Sequence, residues 1–191
     1  MSVRKKPVWR EWGESILIAF ILAVFVRVFF FELYKIPTTS MVPALIPGDR
    51  ILVSKLIYGP RIPFVGWRIP GYRKIKRGEV IVFISPPEPN KAYVKRVIGL
   101  PGDKVEIKRG NIYINGKPVS DPVISKDFYY NFGKYGEDGE VVTVPKNSYF
   151  VLGDNSASSR DSRFWGFVPF KSVLGKAVLI WWPLKRIALL K

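Results

Sequence analysis

The sequence contains neither cysteine nor histidine. Without cysteine there are no disulfides, no thiol nucleophile and no thiolate metal site. Without histidine there is no Ser-His-Asp triad, no Cys-His pair and none of the usual zinc sites. An enzyme built on this chain must draw its base from a carboxylate, a lysine or a tyrosine. Acidic side chains are scarce as well: 15 Asp and Glu stand against 31 Lys and Arg, a net charge of +16. Such an excess attracts anionic partners, either phospholipid headgroups or nucleic acid, or else forms a solvated basic surface. With 48% apolar and 24% charged residues, the 191-residue chain supports one packed domain with a small addition, and not wholesale disorder.

What is present begins with a long apolar run. Ser15–Phe31, SILIAFILAVFVRVFFF, carries a single charge, Arg27. At ~1.5 Å per residue it lies near the short end of what crosses a ~30 Å hydrocarbon layer, and extension through Leu33 and Tyr34 makes it sufficient. Polar residues do not recur at helical spacing, so no solvated face exists and a transmembrane helix is favoured over a core helix. Arg4, Lys5, Lys6 and Arg10 precede the run, and no small-x-small site follows it closely. The segment therefore reads as an uncleaved signal-anchor in the plasma (inner) membrane, with the N-terminus cytoplasmic. Arg27 either snorkels outward or pairs with a neighbouring protein. The expected organisation is a cytoplasmic tail (1–14), a transmembrane helix (15–34) and an extracytoplasmic domain (35–191). An exported domain rarely meets nucleic acid, so a phospholipid surface is the preferred anionic partner. Lys55–Gly78 suits that role, with seven basic residues, no acidic one, and Tyr58, Phe64, Trp67 and Tyr72 interleaved.

Beyond Tyr34 the texture changes to short runs of Val, Ile, Tyr and Phe punctuated by Gly and Pro. Strands are expected at Arg50–Lys55, Glu79–Ile84, Ala92–Ile98, Lys104–Lys108, Asn111–Ile114, Glu140–Val144, Tyr149–Leu152 and Ser172–Trp182. Arg109-Gly110 and Asn115-Gly116 are hairpin turns. No long amphipathic helix appears after the anchor. The fold class is mostly β: a coiled or folded antiparallel sheet, a small inserted β/loop subdomain at about 109–144, and one N-terminal transmembrane helix. Gly59–Gly71 and Ser120–Gly139 read as loops.

Serine chemistry without histidine needs a neutral lysine, whose ordinary pKa of ~10.4 burial can lower by several units. Ile36-Pro37-Thr38-Thr39-Ser40-Met41-Val42-Pro43 sets Ser40 between two prolines just after the anchor. Ala92-Tyr93-Val94-Lys95-Arg96-Val97-Ile98 sets Lys95 in an apolar strand, on the face shared by Tyr93 and Val97. Taken singly, Ser40 also reads as a turn serine and Lys95 as a strand lysine snorkelling at an edge.

Four segments in order resemble the boxes of type I signal peptidases, the membrane-bound Ser/Lys leader peptidases. They are PTTSMVPAL (37–45), GDRILVSK (48–55), KRVIGLPGD (95–103) and GDNSASSRDSRFWGFVP (153–169). The resemblance covers the anchor and essentially the whole exported chain. It implies Ser40 as nucleophile and Lys95 as general base, with Thr38 and the Ser40 backbone N–H forming the oxyanion hole. Ser159 matches a serine that orients the base, and Asp161 and Arg163 match a supporting ion pair. Ile36, Met41, Tyr93 and Val94 fall near the substrate pockets. Ser156 departs from the pattern, since many members carry arginine after Gly-Asp-Asn. A lysine base places the chain on the bacterial or organellar side of the family, because the eukaryotic reticulum branch uses histidine.

The resemblance further implies signal-peptide removal from exported preproteins after small residues, through an acyl-enzyme, without metal or cofactor. Preproteins, the membrane and the secretion translocase are the implied partners. Trp181-Trp182, Lys185 and Arg186 either join Lys55–Gly78 against the lipid or serve as ordinary core and strand residues. Two other classes fit part of the sequence. A membrane-tethered basic binding module explains the charge and the anchor but not the Ser40 and Lys95 segments. A self-cleaving repressor-type Ser/Lys protease shares the dyad, but lacks the anchor and carries a DNA-reading helical domain that this chain does not.

Overall fold

The computed structural model describes residues 8–62 and 67–190. Arg4, Lys5, Lys6 and Phe64, named above, lie outside the described residues. Alternation of side chains in the exported part produces two antiparallel sheets. The larger runs in the order β1 (Phe31–Lys35), β2 (Arg50–Ser54), β11 (Val173–Trp182), β3 (Val80–Ile84), β4 (Ala92–Gly99), β9 (Ser148–Leu152) and β10 (Val168–Pro169), with β12 (Ala188–Leu189) beside β11. The smaller runs β7 (Lys117–Pro118), β6 (Asn111–Ile114), β5 (Lys104–Lys108) and β8 (Val141–Thr143). It starts at Lys104, a few residues ahead of the expected 109 boundary. The fold is mostly β, and among the described residues there are one long α-helix and two short ones, α2 (Pro122–Ser125) and α3 (Ser162–Trp165).

The strand β3, VIVFI, is apolar at every position because both of its faces are covered. Val80 and Val82 join Ile36, Met41, Leu45, Ile51 and Val53 in one core, while Ile81 and Phe83 join Tyr58, Val97, Val151 and Val173 in another. A third core ties the sheets together: Ile98, Phe150 and Leu152 of the larger pack with Val105, Ile107 and Ile112 of the smaller. Both expected hairpin turns form. Asn115 and Gly116 take φ of 52° and 77° between Ile114 and its partner Lys117, a primed turn matched to the strand twist. Ser120–Gly139 is a loop apart from α2.

The helix α1 spans Val8–Phe29, 22 residues or ~33 Å, and is long and apolar enough to cross a membrane. From Trp12 to Arg27 its side chains are exposed. The helix ends at Phe29, short of the expected position 34. Phe31–Lys35 is a strand, paired in register from Phe31↔Ser54 to Lys35↔Arg50. Leu33 and Tyr34 therefore belong to the sheet, because FELYK alternates and β2 offers it a hydrogen-bonding edge.

Of the seven cations in Lys55–Gly78, four are engaged within the molecule, Lys55 among them through Glu32. Arg73 pairs with Glu79, Arg77 with Asp103, and Arg68 donates to the Gly59 and Val173 carbonyls. Tyr58 is buried with its hydroxyl on Glu79, leaving Trp67 and Tyr72 exposed. Arg186 is likewise bound, bidentate to Asp49 at 2.9 and 3.0 Å. Arg61, Lys74 and Lys76 of the basic stretch remain exposed.

Candidate active site

Ile36 leaves β1 into a turn over Ser40–Ala44, closed by Val42 N–H donating to the Thr39 carbonyl at 3.1 Å. The turn lifts Ser40 out of the sheet, and a separate loop holds it there. Asn155 donates its backbone N–H to the Ser40 carbonyl (3.1 Å) and its side-chain amide to the Thr39 carbonyl (3.2 Å). Gly153 passes so close that a Cβ there would lie 2.4 Å from the Ser40 carbonyl oxygen and 2.2 Å from Ser159 Oγ. Only glycine permits this approach of two backbones.

Lys95 comes from the opposite wall. Its strand β4 pairs with β3 through Ala92–Arg96 but with β9 only from Arg96 onward. Among the described residues, the edge of Ala92–Lys95 away from β3 therefore has no strand partner. Alternation sends Lys95 to the side of Tyr93 and Val97, and its Nζ lies 5.9 Å from the Tyr93 ring centroid. The amine ends 2.5 Å from Ser40 Oγ, and the lysine is only 4% exposed. Burial drives its pKa down to about 8, against the opposing pull of Asp161 and Asp154, with Arg163 adding a smaller push downward. Thr38 Oγ1 stands 3.3 Å from Ser40 Oγ on the other side.

Behind the pair, Asp161 and Arg163 are both fully buried and bidentate, Nε to Oδ1 at 2.8 Å and Nη2 to Oδ2 at 2.9 Å. The remaining donors of Arg163 are satisfied by the carbonyls of Tyr130, Ser156 and Ser159 and by Ser156 Oγ, while Asp161 Oδ2 accepts the Gly153 N–H at 3.0 Å. A buried pair with its hydrogen bonds complete holds geometry even where it adds little net stability. Ser156, which replaces the arginine common in the resembled pattern, accepts from both Arg163 and the Tyr130 N–H. Ser159 is buried beside Gly153, but its Oγ has no hydrogen-bond partner and the expected bond to Lys95 is not formed.

Two contributors went unremarked in the sequence reading. Arg96 and Asp154 form a buried bidentate pair at 2.8 and 2.6 Å, and Arg96 also donates to the Gly78 carbonyl. This pair locks the Gly153–Asn155 loop onto β4. The available signal was a charge next to Lys95 inside an apolar strand, which burial requires to be paired.

Ser40 and Lys95 open onto a cleft of about 540 Å³. Its walls are Tyr34, Ile36, Thr38 and Met41 on one side and Tyr93 and Val94 on the other, with Glu88, Lys91 and Arg160 at the rim. All four residues expected near the pockets, Ile36, Met41, Tyr93 and Val94, line it. An activated hydroxyl, a low-pKa amine, a neighbouring hydroxyl donor and an unpaired strand edge in one cleft are equipped for acyl transfer from an extended peptide.

Residues 9–182 match the family described as signal peptidase, peptidase S26. A signal peptidase I of Bacillus licheniformis is 40% identical over 190 residues, covering 97% of this chain and 95% of that protein. Signal peptidase I proteins of Leptolyngbya laminosa and Pseudomonas aeruginosa are 36% and 33% identical, covering 93% and 95% of this chain and 81% and 76% of theirs. A solved signal peptidase I from Enterococcus faecalis, 36% identical, superposes with a TM-score of 0.46 over 56% of this chain and 98% of that one. The chain belongs to the S26 signal peptidase family, serine peptidases that remove signal peptides.

Proposed function

We propose that Ser40 is the nucleophile and Lys95 its general base, acting on preproteins held in the same bilayer as the α1 anchor. The observation that carries this reading is the 2.5 Å contact of Lys95 Nζ with Ser40 Oγ, at an amine whose pKa is lowered to about 8. At pH 7 about a tenth of the molecules hold the neutral amine, which accepts the Ser40 proton. The alkoxide adds to the scissile carbonyl, and the oxyanion is stabilised by the Ser40 N–H and the Thr38 hydroxyl. Lys95 returns the proton to the leaving amine, the C–N bond breaks, and the acyl-enzyme is hydrolysed by a water that Lys95 deprotonates. Asp161 and Arg163 hold the loop behind the pair. Ser159 orients the amine once its hydroxyl turns toward it, which also gives that buried oxygen a partner.

The substrate adds as a strand along the unpaired Ala92–Lys95 edge, and alternate side chains enter the pockets formed by Ile36, Met41, Tyr93 and Val94. The narrow space between these side chains selects small residues next to the cleaved bond. A basic N-terminus before α1 sets it on the cytoplasmic side, with the sheets outside the membrane and within reach of the secretion translocase. Tethering enzyme and substrate in one membrane raises their effective concentration.

The test is incubation of the detergent-solubilised full chain with a preprotein, followed by N-terminal sequencing of the product. Cleavage after a small residue is expected, with none by Ser40→Ala or by Lys95→Met. Full activity in Lys95→Met would falsify the choice of base, and intact preprotein with the wild type would sink the whole reading.

A further inference from the structure

One side chain bridges the C-terminal end of α1 and the catalytic sheet. Lys55, at the end of β2, donates from Nζ to the Arg27 carbonyl at 3.0 Å and to the Val28 carbonyl at 3.4 Å. Its amine also pairs with Glu32 on β1 at 2.9 Å, and its backbone N–H donates to the Phe30 carbonyl at 2.9 Å. A cation placed on the unsatisfied carbonyls at a helix C-terminus is favourable both as a hydrogen-bond donor and against the helix dipole. Here the cation comes from a strand 27 residues farther along than the carbonyl it reaches. It therefore fixes the helix end to the sheet and does not merely cap the helix.

The geometry of that joint bounds the height of the site. Only Phe30 separates α1 from β1, and the cleft begins at Tyr34. Five residues of chain reach at most about 18 Å, so the cleft lies no farther than that from the helix end. Among the described residues β1 is the outermost strand of its sheet, paired only with β2. A substrate leaving its own apolar helix at the same membrane level must cover the same distance to enter the cleft.

We propose that Lys55 is a positioning residue that fixes the height of the Ser40–Lys95 cleft above the end of α1, and so sets how many substrate residues separate its apolar helix from the scissile bond. The inference rests on the peptidase reading and on α1 spanning the bilayer. At about 3.3 Å per extended residue, a gap of at most about 18 Å is spanned by about five residues. A shorter spacer fails to reach the cleft, and a longer one lowers the effective concentration of the scissile bond.

The test uses the full chain co-reconstituted in phosphatidylethanolamine–phosphatidylglycerol vesicles with preproteins that share one apolar helix and differ only in spacer length. Wild type is expected to show a sharp optimum, falling about tenfold for a spacer three residues shorter. Lys55→Met is expected to flatten that profile, while its cleavage of a short soluble peptide lacking the apolar helix stays at the wild-type rate. That soluble-peptide rate also reports that the variant is folded. Lys55→Arg, which keeps donor and charge, is expected to restore the sharp profile. Glu32→Gln, which leaves Lys55 its carbonyls but removes its charge partner, is expected to flatten the profile part-way and serves as the readout should Lys55→Met not fold. A Lys55→Met profile as sharp as the wild type overturns the proposal, as does a flat wild-type profile. Wild type that cleaves neither the preproteins nor the soluble peptide overturns the peptidase reading instead, and this inference with it.

Discussion

Lys95 holds its proton less tightly in the folded protein, at about 8, than in the unfolded chain near 10.5. The unfolded state therefore binds more protons between those values, and folding gains stability as pH rises from 8 toward 10.5. Below pH 8 the buried amine costs on the order of 3 kcal/mol. Lys95→Met should accordingly be more stable than wild type at pH 7, with the gap narrowing by pH 10, as urea unfolding across that range would reveal. A gap independent of pH would mean that the amine is not the source of the cost. The same titration governs activity, so kcat/KM should climb with pH around a midpoint near 8. At Thr38, replacement by Val keeps the shape and removes the hydroxyl 3.3 Å from Ser40 Oγ. Loss of one oxyanion donor should lower kcat by roughly 10²–10³-fold, with Thr38→Ser largely active, as steady-state kinetics on a preprotein would show. Both residues were visible in the sequence as chemistry-bearing types. Their closeness was not, because 55 residues of chain separate Lys95 from Ser40.

At the scale of elements, the site is a turn from one strand end pressed against a loop from another. Gly153 is where they touch, and Gly153→Ala forces a methyl into the Ser40 carbonyl and Ser159 Oγ. Displacement of the nucleophile by even 1 Å costs about 10²-fold, so kcat should fall by about that factor while the far-UV circular dichroism stays native. Wild-type turnover in this variant would show that the loop can yield without moving Ser40. The strands themselves were legible, since runs such as Lys104–Lys108 alternate as a half-buried sheet must. Phe31–Lys35 was not. Its apolar residues continue the anchor's composition, and only pairing with β2 separates strand from helix. The partner of Arg96 was hidden for a similar reason, because Asp154 reads as a loop residue until the fold brings it against β4 in the interior.

Across the whole molecule, one core spans both sheets, so the two lobes should unfold together. Phe150 is fully buried there, against Phe167 and beside Gly99. Phe150→Ala should destabilise the fold by about 3–5 kcal/mol, with tryptophan fluorescence and far-UV circular dichroism still tracing one coincident transition. Two separated transitions would mean that the smaller sheet folds independently. The charge of +16 is a poorer guide at this scale. Several cations are held inside the fold, Arg73, Arg77, Arg96, Arg163 and Arg186 in ion pairs and Arg68 on backbone carbonyls.

Composition and periodicity alone determined that histidine and cysteine chemistry was closed to this protein, that an apolar helix precedes a β domain, and where most of its strands lie. These are local properties, set by residue type and by the two- and 3.6-residue repeats of the backbone. Tertiary structure decided what an amine at position 95 is worth. Its lowered pKa arises from desolvation, and the buried carboxylates and guanidinium that modulate it come from distant parts of the chain. Neither property belongs to Lys95 until the chain has closed around it.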